Sequence, residues 1–218
     1  MEITFVIFVF LSILLTKLPV IGNYFSIVNT LIHETGHAVM AVVTGGKVAK
    51  IELFTNTEGT AWTSNRYWLG RVLTSLAGYV FSSFIGFLFL YFLSIEKYDY
   101  ILYILITILL LGLLFWVRNL YGLFWITTFC AGFGYLLFND NKTVIEDVLL
   151  FITAIILVQS VISAFEILYL SLKNSLDAGD ATSLARLTFI IPAQLWGILF
   201  FLQSIYFAWK GTAAYLGL

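Results

Sequence analysis

The sequence predicts an all-α polytopic membrane protein of six or seven transmembrane helices, with a small β-hairpin or sheet at the membrane surface after the second apolar segment. Two observations carry this reading. Apolar residues make up 61% of the 218-residue chain and charged residues only 11%, against about 45–50% and about 25% in ordinary globular domains. A water-soluble fold of this length buries only about 70% of its surface, so the excess must face something other than water. The apolar residues also gather in runs of roughly twenty, the length that crosses a bilayer. No polar stretch is long enough to form a soluble appendage, so residues 1–218 read as a single transmembrane domain.

The first run, Ile3 to about Ile21, is interrupted late by Lys17 and Pro19. A cleaved secretory signal would want a basic leading region, and Glu2 is the only early charge, so this run reads as a retained span. About Tyr24 to Thr44 follows, carrying two histidines and a glutamate that a purely structural span would avoid. Gly45 to Arg66 is not span-like. It opens on two glycines, then sets Val48, Lys50 and Glu52 on opposite parity from Ala49, Ile51 and Leu53. Asn56-Thr57-Glu58-Gly59 reads as a turn, and Thr60 to Thr63 as the returning strand.

Leu69 to Leu93 is a span. Tyr100 to Val117 and Leu120 to Phe138 are two more, parted only by Arg118 and Asn119. Val144 to about Leu170 is long and interrupted by Glu166. A polar stretch, Ser171 to Arg186, joins it to a last span from Leu187 to about Trp209. That makes seven spans, or six if the first two segments form one bent element. Small residues on the third span, Gly78, Gly86 and Ser82-Ser83, suit close helix packing. No internal repeat is present.

Basic residues set the orientation. With seven spans, the side of the amino terminus holds Lys47, Lys50, Arg66, Arg71, Arg118, Lys173 and Arg186. The other side holds Lys17, Lys97, Lys142 and Lys210. The imbalance favours a cytosolic amino terminus and puts both the hairpin and the Asp180 segment on the cytosolic face of a multi-pass cell-membrane protein. A net charge of −1 leaves no basic field for nucleic acid. One cysteine, Cys130, excludes an internal disulfide and a cysteine-built metal cluster. In its apolar run it reads as a small core side chain.

Chemistry concentrates in His33-Glu34-Thr35-Gly36-His37, which contains both histidines of the chain. On a helix, positions i and i+4 share a face, so both imidazoles reach one cation. Glu34, about a hundred degrees round, reaches a water on that metal without binding it. This is the HExxH arrangement of two zinc ligands and a general base. Zinc brings its bound water towards a pKa of about 7, and the carboxylate takes the proton as water attacks a carbonyl. The bland alternative is two helix histidines satisfied by neighbours, but three ionisable groups in an apolar span are costly without a purpose.

A catalytic zinc keeps three protein ligands. With no third histidine or usable cysteine, the third ligand should be a carboxylate near the depth of His37. Glu96, Asp99, Asp140, Glu146 and Asp147 fall on the opposite side. Asp177 and Asp180 are on the right side, and Glu166 is about one turn inside it. Glu52 and Glu58 belong to the hairpin and read as solvated.

The run His33-Glu34-Thr35-Gly36-His37-Ala38, followed by Thr44-Gly45-Gly46-Lys47-Val48, resembles the site-2 protease family of intramembrane zinc metalloproteases, in its short bacterial branch. Ala77-Gly78-Tyr79 is similar to the small-residue pattern after that family's zinc helix. Gly179-Asp180-Ala181, Leu184-Ala185, Thr188, Ile191-Pro192 and Trp196-Gly197 look like its closing motif. The resemblance implies Zn2+ as cofactor and a third ligand at Asp180. The wider family carries a Leu-Asp-Gly after an Asn-Pro. Here Asn174 and Leu176-Asp177-Ala178-Gly179 only echo it, which makes Asp177 the rival. A third reading makes Asp180 the cap of a helix starting near Thr182. The resemblance also implies a sheet whose exposed edge accepts an extended substrate strand, with a plain surface loop as the alternative.

The function expected is therefore an intramembrane zinc endopeptidase cutting a membrane-anchored protein near the cytosolic face, with a membrane partner protein as a further expected contact. The alternative is a membrane scaffold or partner-stabilising protein that retains the metal site. A transporter with a midplane ion site fits poorly, because the ionisable groups lie near one face.

Overall fold

The computed structural model describes residues 2–138 and 141–218, with the Glu2 side chain left aside. Among the described residues, eight α-helices and one two-stranded sheet follow one another. Helix α1 spans Glu2–Leu15 and α2 Ile21–Val43. Strands β1 (Lys47–Leu53) and β2 (Gly59–Ser64) lead to α3 (Trp68–Ser94) and α4 (Tyr98–Leu111). The last runs into a π-helical turn, Gly112–Trp116. Then come α5 (Leu120–Leu137), α6 (Lys142–Lys173), α7 (Gly179–Thr188) and α8 (Ala193–Leu216).

The protein is all-α and polytopic. Four helices are long and apolar enough to cross a membrane: α3, α4 with its π turn, α5 and α6. Helix α1 is equally apolar but shorter. Helices α2 and α8 have 23 and 24 residues, long enough to cross, and are diluted by polar side chains such as Asn23, Asn29, Gln194 and Gln203. The first two apolar segments are separate helices joined by a turn over residues 16–20.

The last span starts later than its apolar run suggests. Leu187 belongs to α7, and the chain breaks before α8 with Phe189 at φ 58°. Pro192 explains the break. It has no N–H to continue a helix and pushes the preceding residue out of the helical region. The long helix α6 has a defined start: the Asn141 side chain accepts from the backbone N–H groups of Thr143 and Val144 at 3.1 and 3.3 Å, an N-cap.

Helices α2, α3, α6 and α8 form the centre, with α1 against α6 and the α4–α5 pair outside. Ile27, Leu31, Ile32 and Phe89 are fully buried there, and Trp125 of α5 is buried against α2. Polar ties cross the apolar interior. Gln159 Nε2 donates to Ser26 Oγ at 2.7 Å, and Trp125 Nε1 to the Tyr24 carbonyl at 2.7 Å. In a bilayer such groups have no water to turn to, so helix-to-helix pairing is how they are satisfied.

The hairpin forms where the alternation and the turn residues predict it. It is antiparallel, with Ile51 opposite Ala61, Glu52 opposite Thr60 and Leu53 opposite Gly59, and a bulge between Val48 and Lys50. It lies back along α2, because Thr30 Oγ1 and Asn23 Nδ2 donate to the Thr57 and Thr55 carbonyls at 2.7 and 2.9 Å. The outer edge of β1 is closed by the link between α4 and α5. The Arg118 N–H donates to the Ile51 carbonyl at 3.1 Å. The Asn119 amide pairs with both backbone groups of Leu53, at 3.1 and 2.6 Å.

Candidate metal centre

His33 and His37 stand one turn apart on α2, and their Nε2 atoms approach to 3.0 Å. Asp180, in the first turn of α7, brings Oδ2 to 3.3 Å from His33 Nε2 and 3.2 Å from His37 Nε2. Four ligands at tetrahedral corners, each about 2.0–2.1 Å from a zinc ion, would lie about 3.3 Å apart. The three observed spacings fit that figure. Two imidazole nitrogens and one carboxylate oxygen are also a donor set that zinc accepts with a fourth position left open.

Helix α3 supplies the support. His37 Nδ1 donates to the Thr74 backbone carbonyl at 2.6 Å, which leaves Nε2 as the free lone pair and fixes the ring. Thr74 Oγ1 donates to Asn65 Oδ1 at 3.0 Å, and Asn65 Nδ2 to Thr44 Oγ1 at 2.6 Å. This chain ties the end of α2, the exit of β2 and the start of α3 together. One turn beyond Thr74, Gly78 backs directly onto the pair: a Cβ there would lie 2.5 Å from both Nε2 atoms. Only a hydrogen fits at that position.

Glu34 occupies the neighbouring face of α2 and is 6% exposed. Strand β2 passes beside this carboxylate, and Ala61 lines the same cavity. A Cβ at Gly59 would come within 3.0 Å of Glu34 Oε1, so the strand abuts the carboxylate. His33, Glu34, His37 and Asp180 share one cavity of about 900 Å3 with Tyr79. Past them it continues along α2 and α6, by Asn29 and Gln159, towards Lys17.

The other sequence candidates fall elsewhere. Asp177 lines the cavity, but its carboxylate accepts from Asn174 Nδ2 at 2.5 Å and it stands outside the donor cluster. Glu166 lines the same cavity without joining the cluster. The capping alternative for Asp180 is not what forms, since α7 has Ala178 as N-cap and no side-chain cap bond. Glu52 bonds to Lys50 and Trp62 on the hairpin. Glu96 and Asp99 flank the α3–α4 turn, and Glu146 and Asp147 begin α6, at its far end from Asp180. Asp140 lies outside the described residues.

Sequence reasoning missed Thr74, because it acts through a carbonyl that every residue has. It also read Gly78 as plain helix packing. The spacing of Thr74 and Gly78, one helical turn, is the one signal that could have joined them.

The sequence matches the family model described as Peptidase M50B-like over residues 4–211. The chain belongs to the site-2 protease (M50) family. Neither curated proteins nor solved structures offer a match. As an M50 member the chain belongs, at the level of the family, with intramembrane metallopeptidases. Its apolar helices suit the multi-pass membrane setting that such enzymes occupy.

Proposed function

We propose that this M50 chain is a zinc-dependent endopeptidase that hydrolyses a peptide bond of a membrane-anchored protein near the cytosolic face. The observation that carries the reading is the three-donor cluster of His33, His37 and Asp180 beside the buried carboxylate of Glu34, inside a cavity among membrane-spanning helices. In this reading His33, His37 and Asp180 hold Zn2+. The ion would supply Lewis acidity and a water of lowered pKa. Thr74 holds the His37 ring in register, and Glu34 takes the proton from the attacking water and delivers it to the leaving amine.

The substrate arrives helical, with its peptide bonds hidden, and must be opened before its carbonyl meets the base. The hairpin supports a way of holding the opened segment. With the Glu52–Thr60 and Lys50–Trp62 pairs bonded across the ladder, the backbone groups of Gly59 and Ala61 face outward, and both residues line the cavity. An extended segment lying there can pair as an added strand. The cytosolic orientation rests on the basic residues around this end of the bundle, which include Arg66, Arg71 and Arg186.

Zinc content of the purified protein, measured beside Glu34→Gln with cleavage followed on the same samples, tests the proposal. Zinc retained and cleavage lost in Glu34→Gln is the expected result. Zinc retained in both with no cleavage in either turns the reading to a membrane scaffold. Absence of zinc from the wild type overturns the metal site.

A further inference from the structure

Tyr79 packs against the ligand His33 and lines the metal cavity. The residue is 6% exposed and belongs to an apolar cluster with Val72, Ala164, Ala181, Leu184 and Phe200. The ring stands edge-on to His33, centroids 4.5 Å apart and planes at 82°, and lies 4.6 Å from the Phe200 ring. The residue lines the metal cavity together with Asp180, Glu34 and Glu166. Among the described residues the hydroxyl makes no hydrogen bond, and its oxygen is not among the sealed, unpartnered polar atoms, so it opens on the cavity.

Phenylalanine would fill the same cluster. A hydroxyl that opens on the cavity with no partner inside the fold is free to donate to a group that enters it. Peptide hydrolysis creates the acceptor such a donor fits. When the water oxygen bonds to the carbonyl carbon, the π pair of the C=O moves onto its oxygen, and Glu34 holds the water's proton. When the C–N bond breaks, its pair leaves on nitrogen, nitrogen takes that proton, and the C=O reforms. Negative charge rests on the carbonyl oxygen only between these events, and a preplaced donor there lowers the barrier without tightening the ground state.

We propose that the Tyr79 hydroxyl, held edge-on beside His33 and open to the cavity, is a catalytic residue that donates a hydrogen bond to the oxyanion of the scissile carbonyl. Tyr79 keeps its proton throughout. The inference rests on the peptidase reading, and two measurements separate the fates of the two.

Tyr79→Phe preserves the ring and removes only the donor. The probes are a dye-and-quencher-labelled apolar transmembrane peptide in detergent micelles, and a phosphinic peptide whose tetrahedral P–O− imitates the oxyanion. The expected result is a kcat lowered about 100- to 1,000-fold, the usual loss for one such donor, with KM and zinc content unchanged. Phosphinate affinity should fall by a comparable factor, while affinity for the corresponding uncleavable amide stays the same. Equal kcat and equal phosphinate affinity in the two proteins overturn the proposal. So does loss of zinc in Tyr79→Phe, which would make Tyr79 a support of the metal site. A wild type that leaves the peptide uncut overturns the peptidase reading, and the phosphinate comparison, which needs no turnover, still decides Tyr79.

Discussion

At the scale of single residues the centre depends on atoms of very different visibility. The His33–Glu34–His37 trio is legible in the sequence because its spacing and its chemistry coincide. Asp180 is less so: Asp177, three residues before it, offers the same carboxylate at nearly the same depth. The choice between them is made by the φ of +43° at Gly179 and the start of α7, which aim Asp180 at the histidines and leave Asp177 with Asn174. Asp180→Asn should therefore lower zinc affinity by well over a hundredfold, since even outer partners of a metal ligand cost about 10–100-fold. Asp177→Asn should leave zinc content intact. Zinc content by elemental analysis of both variants checks this, and the reverse pattern would move the ligand to Asp177. Thr74 and Gly78 were illegible for opposite reasons, one contributing only a backbone carbonyl and the other only the absence of a side chain.

Among the elements, the hairpin is the best specified by its sequence. Alternation, a turn of Asn56-Thr57-Glu58-Gly59 and a returning run all point to it, and the sheet forms with that turn. Its exposed face is held by side chains. Glu52 accepts from Lys50 Nζ and Trp62 Nε1, each at 2.9 Å, and Lys50 lies over the Trp62 ring. The Lys50 bond first and the Trp62 bond second hold the Glu52 carboxyl below its usual range. A lowered folded pKa contributes stability that is present above the unfolded value, about 4.3 for glutamate, and lost as pH falls through the folded one. Acid titration followed as the difference in tryptophan emission between wild type and Trp62→Phe should show a midpoint below about 4.3. Lys50→Ala should move it up. A midpoint at the ordinary value, unmoved by Lys50→Ala, would break this account. The α7–α8 break was less legible, because the apolar run passes from Leu187 across Pro192 and hydropathy does not register a missing N–H.

For the whole molecule, composition made the membrane setting plain, whereas the number of crossings was harder to read. Polar side chains on α2 and α8 dilute the very signal by which a span is recognised, and on α2 they include the site itself. The two ends of the site do meet at one end of the bundle, where Trp68 Nε1 donates to the Leu187 carbonyl at 2.7 Å. The hairpin and the α6–α7 segment should accordingly face the same compartment. In a Cys130→Ser background, single cysteines at Asn56 and Ser175 should react with an impermeant maleimide from the same side of sealed vesicles. Labelling from opposite sides would contradict the fold and the proposed site together.

The closed edge of β1 has a consequence for traffic through the molecule. Arg118 and Asn119 occupy that border with bonds from within the chain, so the sheet can lengthen in one direction only. Two copies cannot zip together through β1, and no queue of strands can build on that side. Whatever extended chain the sheet receives must come alongside β2, one guest at a time, and the border that receives it belongs to the strand whose Gly59 already abuts Glu34.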